Sequence, residues 1–297
     1  MTLQHPIASR TKRRESIVLE TNLTTTDGRT LHAYDVGPTG RPDELVLLWH
    51  GGTPNIGAPP QPLFDVAHAL GIRWIGYDRP SYGGSSPHRG ATVASAAADA
   101  SQVAEHLGIE RFAVLGSSGG GPRALACAAL LADRIPAAVT ISAPGPYRAA
   151  GLDFFAGMSD GSARELRAAA QGRAQLERVL ATNDFDPESF IAADYAALDS
   201  TWSWFNRIVQ AATVSGPDGM IEDDLGAMAP WGFDVAQIAV PTLIMHGTAD
   251  RMVPSSHAEW LAAHCPTAEL RLVPGEGHVS VLNSASDALA WLRDHAS

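Results

Sequence analysis

The chain has little cysteine, no excess of positive charge and no long apolar run, and each shortage removes a class of protein. Its two cysteines, Cys127 and Cys265, stand in neither a C-x-x-C nor a zinc-like spacing, which excludes a disulfide framework and a cysteine-based metal site. A net charge of −11 and a pI near 5.4 argue against nucleic acid as a partner. No stretch approaches the roughly 18 to 20 consecutive apolar residues that span a bilayer, so no membrane partner is expected. Neither an internal repeat nor a low-complexity linker is present. Arg10, Lys12, Arg13 and Arg14 form a basic cluster such as opens a signal peptide. Only Ile17-Val18-Leu19 follows it before the polar Thr21-Asn22, so the apolar region of a signal is missing and a cytoplasmic protein is expected.

What the chain does have is a regular alternation of short apolar runs and helix-forming segments. Ser16 to Thr21 and Thr30 to Val36 read as an antiparallel pair joined through the turn dipeptide Asp27-Gly28. Strands are then expected over 44–49, 73–77, 111–115 and 137–142, with helices over 63–70, 93–107 and 122–132 between them. Such alternation predicts a mostly parallel sheet with helices on both faces. At 297 residues the chain is long enough for one such core plus an insertion.

One turn in this pattern carries chemistry. The apolar run Arg111 to Leu115 leads into Gly116-Ser117-Ser118-Gly119-Gly120 and then into an Ala/Leu-rich segment from Pro122. A G-x-S-x-G between strand and helix is a nucleophile elbow, in which the serine sits on a strained turn that tolerates no Cβ at the flanking positions. The frame selects Ser118, because Ser117 would require glycine at 115 and finds Leu115. An activated serine requires a base and a group to orient it, in the chain order Ser, Asp or Glu, His. The run Pro241 to His246 ends in Gly247-Thr248-Ala249-Asp250, and Leu270 to Val273 ends in Pro274-Gly275-Glu276-Gly277-His278. Asp250 and His278 therefore each lie on a turn just past a strand. A further apolar run, Glu44 to Trp49, ends in His50-Gly51-Gly52-Thr53, where backbone N–H groups can approach a reacting oxygen. Gly52 is the expected loop donor with Thr53 next, Gly119 is the expected donor beside the nucleophile, and His50 is expected to brace the loop.

These signals resemble the α/β-hydrolase fold superfamily, over nearly the whole chain from about Glu15. Tyr77-Asp78-Arg79-Pro80-Ser81-Tyr82-Gly83-Gly84-Ser85 is similar to its loop after the fourth strand. The resemblance implies an eight-stranded, mostly parallel sheet with a helical cap inserted after the sixth strand, giving a core of 1–145 and 234–297 and a cap of 146–233. It implies a serine hydrolase with catalytic Ser118, Asp250 and His278, an oxyanion hole at Gly52 and Gly119, and no metal or organic cofactor. His50-Gly51-Gly52 also resembles the proline iminopeptidases, although Thr53-Pro54-Asn55 and Gly119 depart from their pattern. Ser118 stands where haloalkane dehalogenases and epoxide hydrolases of this fold carry aspartate.

Within 146–233, helices are expected over 162–180 and 187–213. Thr53, Trp202, Phe205 and Trp231 are candidate substrate contacts, and Glu222-Asp223-Asp224 reads as an exposed acidic helix start. The expected partner is a small molecule, and the chain is expected to be a monomer or homodimer. A carboxylic ester or lactone is the leading substrate class. An aminopeptidase, a C–C bond hydrolase and a non-enzymatic ligand receptor on the same fold stand as alternatives.

Overall fold

The computed structural model describes residues 18–182 and 185–296. The basic cluster at Arg10, Lys12, Arg13 and Arg14 and the expected strand start at Ser16 lie outside the described residues. The strands are β1 (Leu19–Thr24), β2 (Thr30–Asp35), β3 (Leu45–His50), β4 (Ile72–Tyr77), β5 (Ala113–Ser117), β6 (Ala138–Ile141), β7 (Thr242–Gly247) and β8 (Ala268–Val273). They form one sheet in the order β1-β2-β4-β3-β5-β6-β7-β8, antiparallel across β1, β2 and β4 and parallel from β4 onward. The β1–β2 hairpin closes at Gly28, whose φ of +85° a side chain would resist. Its first strand runs later than expected, because Leu23 rather than Val18 pairs with buried Leu31.

Alternate residues of the central strands feed two separate cores. Leu47 and Trp49 of β3, with Leu115 of β5 and Met245 of β7, face α1 (Phe64–Ala69) and α10 (Ala285–His295). Leu48, Val114 and Ile244 face α2 (Ser95–His106), α3 (Gly121–Leu130) and α9 (Ser256–His264). A period of two with both faces apolar is what a covered parallel sheet requires.

The insertion between β6 and β7 contains α4 (Asp160–Ala169), α5 (Arg173–Thr182), α6 (Ala192–Leu198), α7 (Trp204–Thr213) and α8 (Asp218–Met228). The single helix expected over 162–180 is two, because Gly172 takes a φ of +105° and turns the chain. The helix expected over 187–213 is likewise broken, with Ser200 at φ −128° and ψ −112° between α6 and α7. No helix among the described residues is long and apolar enough to cross a membrane.

Candidate active site

Ser118 follows β5 at a φ of +51°, the left-handed region that side-chain-bearing residues seldom occupy. Two glycines make the turn possible. A Cβ on Gly116 would lie 2.3 Å from the Gly120 carbonyl oxygen, and one on Gly120 would lie 2.0 Å from the carbonyl oxygen of His50. The serine side chain is thereby raised over the C-terminal edge of the sheet, where the turns after β7 and β8 also end.

The three expected side chains meet there. His278 Nε2 lies 2.9 Å from Ser118 Oγ, and its Nδ1 lies 2.7 Å from Asp250 Oδ2. With Nδ1–H donating to the carboxylate, Nε2 is left to accept the serine proton. Asp250 is only 5% exposed and fully engaged, its Oδ1 accepting the N–H groups of Met252 and Val253 at 2.9 Å each. Burial opposes its charge, but His278 and the buried His246, at 3.2 Å from Oδ2, hold its pKa well below the usual carboxylate range. For His278, burial works against protonation, and the charges of Asp250 and Asp194 overcome it and raise the pKa.

Asp194 was not visible from sequence. It lies on α6, 1% exposed, and its Oδ1 accepts the N–H groups of Val279 and Ser280 at 2.8 Å each. A Cβ on Gly277 would sit 2.1 Å from its Oδ2, so glycine is required where the carboxylate presses on the histidine loop. The insertion thus grips the backbone on the far side of the base.

The loop after β3 departs from expectation. The Asn55 side-chain oxygen accepts the Gly52 N–H at 2.9 Å, while its nitrogen donates to the Pro54 carbonyl at 2.8 Å. The expected Gly52 donor is therefore already engaged. Among the described residues the Thr53 N–H has no partner, and it lies 3.6 Å from where a Gly119 Cβ would project. Thr53 Oγ1 fills that same place at 2.6 Å, which explains glycine after the nucleophile. Its hydroxyl donates to Asp223 Oδ2 at 2.7 Å, so the side chain is committed to the protein rather than free for a substrate. Among the described residues, the polar contact of the His50 ring is to α3 and not to the loop. Its Nε2 faces Cys127 Sγ on α3 at 3.5 Å, and burial with the charges of Arg79 and Arg123 keeps it neutral.

A family model for the alpha/beta hydrolase fold matches residues 44–285. The chain belongs to the α/β-hydrolase fold family. It is 30% identical over 271 residues to a non-heme haloperoxidase of Rhodococcus erythropolis, covering 86% of this chain and 92% of the relative. A non-heme chloroperoxidase of Streptomyces lividans is 30% identical over 245 residues, covering 80% and 84%. Among solved structures, a thermophilic esterase of Thermogutta terrifontis superposes with a TM-score of 0.67 at 22% identity, over 94% of this chain and all of that one. These likenesses mark the protein as an α/β-hydrolase enzyme.

The hydrolase's insertion buries Trp202, Trp231 and the acidic run of α8. Trp202, 1% exposed, donates through Nε1 to Asn283 Oδ1 at 3.1 Å and packs on Phe205, whose ring lies 5.7 Å away. Trp231, 4% exposed, stacks on Phe233, and its carbonyl accepts the Ala94 N–H at 2.9 Å. Both tryptophans anchor the insertion to the core, and the Phe205 ring packs against those of Trp202 and Trp204. Glu222-Asp223-Asp224 is not an exposed helix start, since all three are buried on α8. Glu222 pairs with Arg173, and Asp224 faces Glu165 with its pKa pushed up by burial and by that neighbour. Asp223 meets Arg79 at 2.6 Å and Arg123 at 2.6 Å. Among the described residues, no group of three or more His, Cys, Asp or Glu side chains is arranged to hold a metal ion.

Proposed function

We propose that this enzyme is a serine hydrolase that cleaves a small or medium carboxylic ester or lactone by two-step acyl transfer. The observation that carries the reading is the unbroken chain of hydrogen bonds from Asp250 through His278 to Ser118, at 2.7 and 2.9 Å. His278 takes the serine proton as Oγ attacks the carbonyl, and the imidazolium that forms is stabilised by Asp250. The oxyanion meets the Gly119 N–H and the uncommitted Thr53 N–H, while the Gly52 N–H stays with Asn55. His278 returns the proton to the leaving oxygen, and water resolves the acyl-enzyme by the same route.

Ester over peptide is favoured by the surroundings of the acids on the insertion. Glu222, Asp223 and Asp194 each already hold a protein partner, and Asp224 is buried beside Glu165 with its pKa pushed up, which disfavours the charged form that a substrate's free amino group would meet. The haloperoxidase names of two relatives suggest one further arm, in which hydrogen peroxide replaces water in resolving the acyl-enzyme. The test is a panel of p-nitrophenyl esters from acetyl to decanoyl, with prolyl and alanyl p-nitroanilides, run with and without peroxide on wild type and Ser118→Ala. Ester turnover abolished in Ser118→Ala, with the anilides untouched, is the expected result. Rapid cleavage of a prolyl anilide would move the enzyme to the aminopeptidases.

A further inference from the structure

The acyl-transfer reading leaves unexplained an ionic cluster directly behind the oxyanion loops. Arg79, on the loop after β4, sends Nη1 to the Gly51 carbonyl at 2.6 Å and Nη2 to the Gly52 carbonyl at 2.7 Å. Its Nε and Nη2 also fork onto Asp223 of α8. Arg123 of α3 donates to the Gly119 carbonyl and, at 2.6 Å, to Asp223 Oδ1. Tyr82 and Thr53 complete the shell by donating to Asp223 Oδ2 at 2.9 and 2.7 Å. Both arginines and Asp223 are buried, with 4%, 6% and 5% exposure. Burial pushes the Asp223 carboxyl up, yet the charges of Arg123 and Arg79 dominate and bring it to about 2.

The peptide geometry gives this cluster a direction. The Gly51 carbonyl shares its peptide plane with the Gly52 N–H, and the Gly52 carbonyl shares its plane with the Thr53 N–H. A guanidinium on each carbonyl draws electron density through the amide and makes the N–H at the other end a stronger donor. The rigid fork also fixes the angle between the two planes. Two guanidiniums against one carboxylate leave a positive excess buried where a substrate oxygen would become negative.

We infer that Arg79, held by Asp223 of the insertion, is a positioning residue that aims the loop after β3 and strengthens its free N–H donor, that of Thr53, at the oxyanion site. The inference rests on the acyl-transfer reading and adds that α8 participates in setting up the chemistry from outside the sheet. Arg123 fixes the Gly119 side of the same site through the same carboxylate.

The test compares wild type, Arg79→Met, Arg79→Lys and Asp223→Asn as full-length chains, each checked for folding by thermal unfolding. Three quantities are read: the rate at which a fluorophosphonate labels Ser118, the affinity for phenylboronic acid, whose tetrahedral adduct places an oxygen in the oxyanion site, and KM for p-nitrophenyl butyrate. Arg79→Met is expected to label about 10- to 100-fold more slowly, at or below the loss seen when a whole oxyanion donor is removed. Boronate affinity is expected to fall by a similar factor while KM changes little. Arg79→Lys is expected to recover part of the loss, since the charge stays and the fork goes. If Arg79→Met does not fold, Asp223→Asn preserves the shape of the cluster and is expected to give a smaller loss of the same kind. Folded variants labelled at the wild-type rate would overturn the inference, as would equal losses in boronate affinity and KM. Absence of Ser118 labelling in the wild type would instead remove the acyl-transfer reading itself, and the inference with it.

Discussion

Two aspartates of the insertion reach the site from opposite sides and do different work. Asp194 of α6 binds neutral backbone N–H groups and fixes the loop of the base. Asp223 of α8 binds two guanidiniums that in turn hold the carbonyls of Gly51, Gly52 and Gly119. The first contact is close and lends its charge to His278. The second acts through intermediaries and leaves two guanidiniums against one carboxylate behind the loops after β3 and β5. Ser118, His278 and Asp250 sit on turns of the sheet, and the insertion supplies the struts, one on each side of them.

The comparison breaks most sharply if the sheet-borne residues prove dispensable. Ser118→Ala or His278→Ala is expected to lower kcat on an active ester by about 10⁶-fold, and Asp250→Asn by about 10⁴-fold, in steady-state assays. Next in size is the strut through arginine. Asp223→Ala leaves two buried guanidiniums without their carboxylate and is expected to lower folding stability by about 3–5 kcal/mol, measured by urea denaturation. Trp202→Ala, which opens a hole where the insertion meets residues 280–284, is expected to lose a similar amount of stability, about 3–5 kcal/mol, with KM little changed. A large rise in KM at normal stability would return Trp202 to the substrate path.

The smallest effect sharpens the contrast at the other strut. His278 is active when neutral and its pKa is raised, so activity should fall on acidification at a pH above the ordinary 6.5 of histidine. Asp250 and Asp194 are the carboxylates that raise it. Asp194→Asn removes one of those charges, so the acid limb of kcat/KM is expected to move to lower pH. Asp223→Asn, whose carboxylate is not among the charges that raise the His278 pKa, is expected to leave that limb in place while lowering the plateau.

The meeting of Ser118, His278 and Asp250 was legible in the sequence because each is fixed locally, by a strand end and the glycines around it. Ser118 with Gly116 and Gly120 is the clearest instance, since the turn and the nucleophile are one short segment. The struts were not legible because their partners are distant in the chain. Asp223 lies 144 residues from Arg79 and 100 from Arg123, and an acidic run on a helix ordinarily faces water. Arg123 did leave a trace, as the one charged residue in the apolar helix α3 immediately after the elbow. Trp202 and Trp231 are a related case. Aromatic content reveals that a segment buries surface, but only the packing reveals against what. The Gly52 expectation did not reckon with one side chain, Asn55, whose amide competes for the N–H that the glycine pattern offers.

The most direct test of the account is to trap the acyl-enzyme. Wild type would be mixed with p-nitrophenyl butyrate, quenched in acid within the first turnovers, digested and read by mass spectrometry. The account predicts a butyryl group on the peptide containing Ser118, absent in Ser118→Ala and far slower to form in His278→Ala. Ester turnover with no acyl group on that peptide, or undiminished turnover in Ser118→Ala, would contradict it.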